Sequence, residues 1–289
     1  MNILVTGAKG QLGSQLARYF QEKRTPLGTP SILTEQNKLY LTDADELDIT
    51  DGAAVLSFCK EKEISLIFNC AAYTNVNKAE SEEEIAYKIN AHGAENLARA
   101  MQERGGRYIL VSTDYVFDGE KGAAYTEEEA CSPLGAYGRT KREGEILSLA
   151  ACKNTAVMRT AWLYGREGNN FLKTVIRLCE ERGGMRVVND QFGSPTFTED
   201  LAYHMLLLAE RTETGVFHAT CEGVCTWYEF ACEIARLAGL KAEILPCTTE
   251  EYPTPAKRPA YSVLENARLK ALGINRFRDW REALKRYFA

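Results

Sequence analysis

The chain has 289 residues, 45% of them hydrophobic, which is enough to bury one large core or one core with a smaller lobe built on it. Its net charge of -5 argues against nucleic acid as the main partner. Nine cysteines without a CxxC pair, three histidines and no apolar run near ~18 residues indicate no disulfide framework, zinc site or membrane span, so we expect a cytoplasmic protein.

The first seventeen residues are typical of a buried strand, a glycine-rich turn and the start of a helix. The apolar residues 3–5 precede the run Thr6-Gly7-Ala8-Lys9-Gly10-Gln11-Leu12-Gly13. Glycines at this spacing let the backbone approach a pyrophosphate, which the N–H groups and the positive end of the helix then bind. A glycine turn can also be purely structural, but its position directly between strand and helix favours a nucleotide site.

The next predicted elements are a helix over 11–23, a loop over 25–37, a strand over 38–42 and a short extended piece over 46–49. Asp43 follows the strand at the point where a doubly wound fold meets the adenosine ribose, so it is a candidate ligand of the ribose hydroxyls. The alternative interpretation is a solvated loop carboxylate. No arginine follows Asp43, which favours NADH over NADPH.

Helices and strands continue to alternate, with predicted bounds of 51–62 (helix), 64–68 (strand), 81–104 (helix) and 107–111 (strand). Small residues follow the first of these strands and leave room for a flat ligand. Asn90 lies inside the long helix and has two interpretations. It is either a polar surface residue, or its side chain hydrogen-bonds a backbone carbonyl or a water near a site. This alternation predicts an α/β protein with a doubly wound parallel Rossmann sheet and ligands at the carboxyl ends of its strands.

Tyr137 and Lys141 lie four residues apart on a helix that begins near residue 134, so they share one face. We expect the ammonium to stabilise the ionised phenol and so bring the pKa of Tyr137 toward neutrality. Tyr19 and Lys23 have the same spacing, but Tyr19 is better explained as a core residue. Only the later pair follows a strand that ends in Ser112-Thr113, which supplies a second hydroxyl to hold a carbonyl oxygen.

Beyond Arg159 the alternation weakens. The predicted elements there are a helix over 172–181, a strand over 185–188, a helix over 201–209 capped by Thr198, a strand over 216–218 and helices over 227–237 and 278–287. We therefore predict a dinucleotide-binding domain over 1–161, with 197–212 packing back on it. Residues 162–196 and 213–289 form a smaller substrate-binding lobe in this prediction.

Short motifs are spread along the whole sequence, at 6–13, 69–74, 112–119, 137–141, 159–165, 168–171, 189–196 and 258–262. Together they resemble the extended short-chain dehydrogenase/reductases and, among these, the dTDP-4-dehydrorhamnose reductase family. This resemblance implies reduction of the 4-keto group of dTDP-4-dehydro-6-deoxy-L-mannose to dTDP-L-rhamnose, with NADH or NADPH as the cofactor and a dTDP-sugar as the partner.

The resemblance also implies roles for individual residues. Thr113, Tyr137 and Lys141 would form the catalytic triad, with Tyr137 as the proton donor to the 4-keto oxygen and Lys141 bonded to the nicotinamide ribose. The implied cofactor contacts are Gly7, Gly10, Gln11, Leu12, Asp43, Asp48, Ile49, Ala72, Tyr73, Thr74, Tyr137 and Lys141. The implied substrate contacts are Thr113, Asp114, Trp162, Asn170, Gln191 and Arg258, although Trp162 fits a core position nearly as well.

Two positions restrict the function further. Tyr115 stands where nucleotide-sugar 4,6-dehydratases of the superfamily carry a glutamate, so the second base that elimination needs is missing. Gln15 stands where some family members place a glutamate for a magnesium-linked dimer, so we predict no metal site and either a monomer or a homodimer. The rival hypotheses are another nucleotide-sugar 4-ketoreductase or epimerase, and a non-catalytic subunit resembling the regulatory subunit of methionine adenosyltransferase.

Overall fold

The computed structural model describes residues 1–289. Its strands are β1 (Asn2–Thr6), β2 (Lys38–Thr42), β3 (Ile64–Asn69), β4 (Arg107–Thr113), β5 (Thr155–Thr160), β6 (Leu163–Tyr164), β7 (Gly184–Val188), β8 (Phe192–Gly193), β9 (Thr196–Phe197), β10 (Gly215–His218), β11 (Cys225–Thr226) and β12 (Glu243–Cys247). Its helices are α1 (Gln11–Glu22), α2 (Gly52–Glu61), α3 (Val76–Ala79), α4 (Glu83–Tyr87), α5 (Ala94–Arg104), α6 (Ala136–Ala151), α7 (Phe171–Arg182), α8 (Thr198–Ala209), α9 (Trp227–Leu237), α10 (Ala267–Ala271) and α11 (Trp280–Phe288). None of these helices has the length and apolar character that crossing a membrane requires.

The central sheet has six parallel strands in the order β2-β1-β3-β4-β5-β10, which confirms the predicted doubly wound fold. Apolar runs form its middle strands because helices cover both faces, and Ile3, Leu4 and Val5 of β1 are fully buried. The strand order reverses between β1 and β3. In such sheets ligands bind in the crevice outside the carboxyl ends of the strands, at this point of reversal.

The helix caps follow the sequence signals at some ends and not at others. Asp51, the first residue of the predicted helix over 51–62, caps α2, since its carboxylate accepts hydrogen bonds from the N–H groups of Ala53 and Ala54. The prediction that Thr198 caps α8 is wrong. The helix begins at Thr198 itself, and no side chain caps it. The acidic Glu199 and Asp200 occupy the first turn, where the helix dipole favours negative charge.

Two predicted elements differ in the structure. Residues 46–49 form a loop with turns instead of a third extended piece, and the Leu47 and Ile49 side chains of this loop are buried. The helix predicted over 81–104 is divided into α4 and α5 by a π-helical segment, Lys88–Gly93. Asn90 lies in this segment, and its amide bonds both the N–H and the carbonyl of Tyr73. This tertiary contact confirms the second of the two interpretations of Asn90.

The remaining strands form two-stranded sheets in a lobe above the carboxyl edge of the main sheet: β8 with β11, β7 with β12 and β6 with β9. One hydrophobic core joins this lobe to the sheet, since it includes Val5 of β1 as well as Phe230 of α9 and Trp280 of α11. Strand β10 belongs to the main sheet, although the sequence analysis assigned it to the lobe. The rest of the division into two domains stays a prediction.

Candidate functional site

A cleft of about 870 Å³ opens between the carboxyl edge of the sheet and the lobe. The predicted site residues line it with two exceptions, Tyr73 and Gln191. The residues brought together are Gly7, Gly10, Gln11, Leu12, Asp43, Asp48, Ile49, Ala72, Thr74, Thr113, Asp114, Tyr137, Lys141, Trp162, Asn170 and Arg258. The parallel sheet brings the residues that follow its strands to one edge, and Trp162, Asn170 and Arg258 are added from the lobe.

The two exceptions are tied to other parts of the molecule. The Tyr73 hydroxyl donates to the Glu82 carboxylate, which holds the ring outside the cleft. The Gln191 amide donates to the Thr249 hydroxyl at 3.0 Å, in the turn that follows β12. Gln191 is therefore buried against that turn, and the prediction that it lies in the cleft is wrong.

The glycine turn fits a bound diphosphate. A Cβ at Gly13 would lie 2.3 Å from the carbonyl oxygen of Gly7, so only glycine allows α1 to start this close to β1. Gly10 precedes the helix, and no side chain caps its N-terminus. The first N–H groups of α1 are therefore free to bind an anion, and the helix dipole favours negative charge there.

Asp43 is more than a solvated carboxylate. Its Oδ2 accepts a hydrogen bond from the N–H of Lys9 at 2.8 Å, which fixes it beside the glycine turn. The N–H of Asp43 in turn donates to Glu46, whose carboxylate forms an exposed ion pair with the Lys9 ammonium at 2.9 Å. Two carboxylates consequently lie where β2 meets the cleft.

Tyr137 and Lys141 lie on the first two turns of α6, beside the end of β4. The Lys141 ammonium donates to the carbonyl oxygen of Val111 at 2.7 Å, and burial lowers its pKa to about 8. Burial raises the pKa of Tyr137, and a hydrogen bond with Thr113 offsets only part of this effect. The prediction that Lys141 brings the pKa of Tyr137 toward neutrality is wrong, because the ammonium bonds the main chain. Tyr137 keeps its proton at neutral pH.

Asp114 and Arg258 each have a buried polar atom without a partner in the cleft wall. The Asp114 Oδ1 accepts from the Thr113 hydroxyl at 3.0 Å, but its Oδ2 has no donor. The Arg258 guanidinium donates to the Tyr115 hydroxyl at 3.4 Å, and its Nε has no acceptor. Unpartnered buried polar atoms are costly, so their presence in a cleft indicates groups that a polar ligand satisfies.

The Asp114 carboxyl gives a pH dependence with a definite sign. Burial raises its pKa to about 6, so between roughly pH 4 and pH 6 the folded protein binds a proton that the unfolded chain has released. The stability that this group contributes is present at low pH and is lost as the pH rises through this window. We expect the free energy of unfolding of Asp114→Asn, relative to the unsubstituted protein, to increase from pH 4 to pH 7 in urea titrations.

A second aspartate provides a control with the opposite sign. Hydrogen bonds from the N–H of Glu120 and the Tyr125 hydroxyl lower the pKa of Asp118 in the loop after β4. Asp118→Asn should therefore lose stability relative to the unsubstituted protein as the pH rises toward about 4, and the difference should stay constant from pH 4 to pH 7. If the difference in free energy of unfolding between Asp114→Asn and the unsubstituted protein did not change with pH, the pKa of Asp114 would not be raised by burial. The buried His204 and His218 also make stability depend on pH, but their contributions cancel in both comparisons because every variant retains them.

Aromatic side chains that were not predicted as site residues form one wall of the cleft: Tyr115, Phe171, Trp227 and Phe230. The Tyr115 ring meets the Tyr137 ring edge-on at 5.6 Å, and burial raises the pKa of Tyr115 to about 12. Trp227 begins α9, directly after its cap Thr226. The Thr-x-x-Glu pattern predicts a helix start there but does not indicate which ligand site the first helical residue faces.

Asn170 joins the lobe to the glycine turn. Its Oδ1 caps α7 by accepting from the N–H of Lys173, and its amide nitrogen donates to the Gln11 Oε1 at 3.0 Å and to the carbonyl of Gly165 at 2.9 Å. The loop before α7 therefore closes one side of the cleft above the first turn of α1. Gln15, on the same helix, is buried with its amide nitrogen unpartnered, and no group of three or more acidic, histidine or cysteine side chains is arranged to hold a metal ion.

Comparisons with known proteins agree with this geometry. The family model of the RmlD substrate-binding domain matches residues 1–289. The chain is 40% identical to a dTDP-4-dehydrorhamnose reductase of Streptomyces griseus, covering 99% of this chain and 92% of that protein. A crystal structure of a dTDP-4-dehydrorhamnose reductase from Clostridium acetobutylicum superimposes with a TM-score of 0.93 at 45% identity, covering 99% of this chain and 98% of the other. One from Bacillus anthracis, in complex with NADP, gives 0.92 at 40% identity with the same coverage.

Proposed function

The chain belongs to the RmlD substrate-binding domain family, and from this membership we propose that it is an NAD(P)H-dependent reductase of dTDP-4-dehydro-6-deoxy-L-mannose. The product is dTDP-L-rhamnose. The observation that carries the proposal is the convergence of Thr113, Tyr137 and Lys141 in one cleft with the glycine turn. These residues supply a proton donor beside a dinucleotide site, which is what reduction of a ketone requires.

The protein's own groups act on the oxygen of the 4-keto group. A nicotinamide cofactor, when bound, would supply the hydride. Tyr137 donates its proton to the oxygen, and its raised pKa means that the proton is present at neutral pH. Thr113, whose hydroxyl lowers the pKa of Tyr137 against the effect of burial, would hold the same oxygen, and the buried Lys141 would bind the ribose of the nicotinamide nucleotide.

The proposed cofactor contacts follow from the cleft. The free N–H groups at Gln11 and Leu12 would bind the diphosphate, and Asp43 would accept from the adenosine ribose hydroxyls. The adjacent Glu46 adds a second negative charge, which disfavours a 2′-phosphate. We therefore propose that the enzyme accepts both cofactors and prefers NADH. The exposed Lys9 ammonium tempers this preference, since an exposed ion pair with Glu46 is weak and easily exchanged.

The substrate contacts follow from the unpartnered groups. The Arg258 guanidinium fits the diphosphate of a nucleotide sugar, because its Nε lacks an acceptor. Asp114 fits a sugar hydroxyl that donates to its free Oδ2. Tyr115 supplies no carboxylate where elimination would need one, which favours simple reduction over dehydration.

The test is the loss of NADH or NADPH absorbance with enzymatically made dTDP-4-dehydrorhamnose. We expect the enzyme to oxidise both cofactors, and to oxidise NADH faster than NADPH when each is present at the same limiting concentration. The amount of cofactor oxidised should equal the amount of dTDP-L-rhamnose formed. The same sugar on uridine diphosphate and the epimeric dTDP-4-keto-6-deoxy-D-glucose are the controls. Conversion of the sugar without net oxidation of the cofactor, which would stay bound and be recycled, would indicate an epimerase. Cofactor binding without any turnover would favour a non-catalytic binding subunit.

A further inference from the structure

The Trp162 indole is held in an unusual backbone conformation. Its φ of 48° is one of only three positive values at residues other than glycine, and a bulky side chain rarely adopts this region. The carbonyl of Trp162 accepts from the N–H of Thr196, the next residues pair with β9, and the chain bends at Trp162. Such a strained residue persists only where its surroundings fix it, and strain of this kind clusters at ligand sites.

Two neighbours fix the indole. The Trp227 ring stacks on it with centroids 3.6 Å apart and planes 9° from parallel. Gly193 also lies against it, where a Cβ would stand 2.3 Å from the Cε2 atom of the indole. The Trp162 ring therefore occupies a slot bounded by the Trp227 ring and Gly193, and any side chain at residue 193 would displace it.

The fold brings these two neighbours together in one short element. Gly193 of β8 pairs with Cys225 of β11, two residues before Trp227. A capping box then sets the direction of α9, since Thr226 accepts from the N–H of Glu229 at 3.1 Å and the Glu229 carboxylate accepts from the N–H of Thr226 at 2.8 Å. Trp227 is consequently held by the backbone at the start of its helix. Its ring also packs against the Phe171 ring, with centroids 4.5 Å apart.

We propose that Gly193 and Trp227 are positioning residues that hold the Trp162 indole as a fixed wall of the sugar-nucleotide part of the cleft, and so determine how tightly that ligand binds. The inference rests on the proposed function, because it takes Trp162 as a substrate contact. Neither residue acts on the reacting atoms. Their effect therefore falls on binding of the sugar nucleotide, with little effect on the chemical step or on the cofactor.

The experiment measures two independent quantities in the full-length protein: the Kd of dTDP-L-rhamnose by calorimetry with NAD⁺ bound, and the kcat and KM of reduction. In Trp227→Ala we expect the Kd and KM of the sugar nucleotide to rise about tenfold, since the stacked ring no longer fixes the indole. Gly193→Ala should give at least the same rise. The kcat should change less than about twofold and the Kd of NADH should not change.

Two further variants separate positioning from folding. Trp227→Phe keeps a flat ring and should restore the Kd to within about threefold of the unsubstituted protein. Tyr228→Ala removes the neighbouring aromatic ring of α9, which does not line the cleft, and should leave the Kd unchanged. An unchanged Kd in Trp227→Ala, an equal loss in Tyr228→Ala, or no binding of dTDP-L-rhamnose by the unsubstituted protein would overturn the inference. Failure of the proposed function would give a different result: the unsubstituted protein would not reduce the dTDP-sugar, whatever its Kd for dTDP-L-rhamnose.

Discussion

Replacing Tyr137 with phenylalanine is expected to lower kcat by about 10²- to 10⁴-fold while the Kd of NADH stays within about twofold. The substitution removes only the hydroxyl that holds the transferable proton. The phenylalanine ring keeps the edge-on contact with Tyr115, so the first turn of α6 stays in place. Stopped-flow measurement of NADH oxidation, with NADH binding followed by its fluorescence, gives both numbers from one preparation.

The matched control is Tyr115→Phe. Its hydroxyl lies in the same cleft but bonds Arg258, so its loss should raise the KM of the sugar nucleotide and reduce kcat less than about tenfold. If Tyr137→Phe retained more than about a tenth of the kcat, or if the two variants behaved alike, Tyr137 would not be the proton donor. Loss of NADH binding in Tyr137→Phe would instead indicate a structural role for the hydroxyl.

The parts of the site that local sequence patterns encode were predictable. The glycine turn has a fixed spacing between a strand and a helix, and Tyr137 and Lys141 share a helical face whatever the rest of the chain does. Parallel topology then requires their strands to end at one edge. The convergence of Asp43, Thr113 and the glycine turn could therefore be inferred without coordinates.

The parts that depend on distant or atomic contacts were not predictable. The Trp162 slot arises from pairing between two-residue strands, which are too short to show any alternation of apolar residues. The pKa of Tyr137 is raised by burial, and Lys141 bonds a main-chain carbonyl; spacing along a helix predicts neither. Asn90 interrupts a pattern that is helical throughout, because its amide bonds the Tyr73 backbone.

The largest expected effect on stability comes from a buried ion pair beneath the catalytic helix. Glu145 lies one turn after Lys141 on α6 and is fully buried. Its carboxylate binds the Arg159 guanidinium of β5 at two points, 2.9 Å and 2.7 Å, and it accepts from Arg142 at 2.7 Å. The Glu145 charge also raises the pKa of Lys141 against the effect of burial. The pair therefore connects the sheet to the helix that carries the triad.

Glu145→Gln should lower the free energy of unfolding by about 3–5 kcal/mol, because it leaves the Arg159 charge buried without a counter-ion. Equilibrium unfolding in urea measures this loss. The exposed pair Arg177–Glu181 on α7, with N–O 2.9 Å, is the control, and Glu181→Gln should cost less than about 1 kcal/mol. The two sites differ in burial, and Glu145 also binds its guanidinium at two points where Glu181 binds at one.

The double substitution Glu145→Leu with Arg159→Met tests whether the cost comes from the unpaired charge or from lost packing. Removing both charges should destabilise the protein by at least about 1 kcal/mol less than Glu145→Gln alone, since no buried charge is left without a partner. If the double variant were as unstable as the single one, shape complementarity between α6 and β5 would be the source of the stability. A loss in Glu145→Gln no larger than in Glu181→Gln would mean that water or Arg142 compensates the Arg159 charge, and that the triad helix is anchored by its apolar contacts instead.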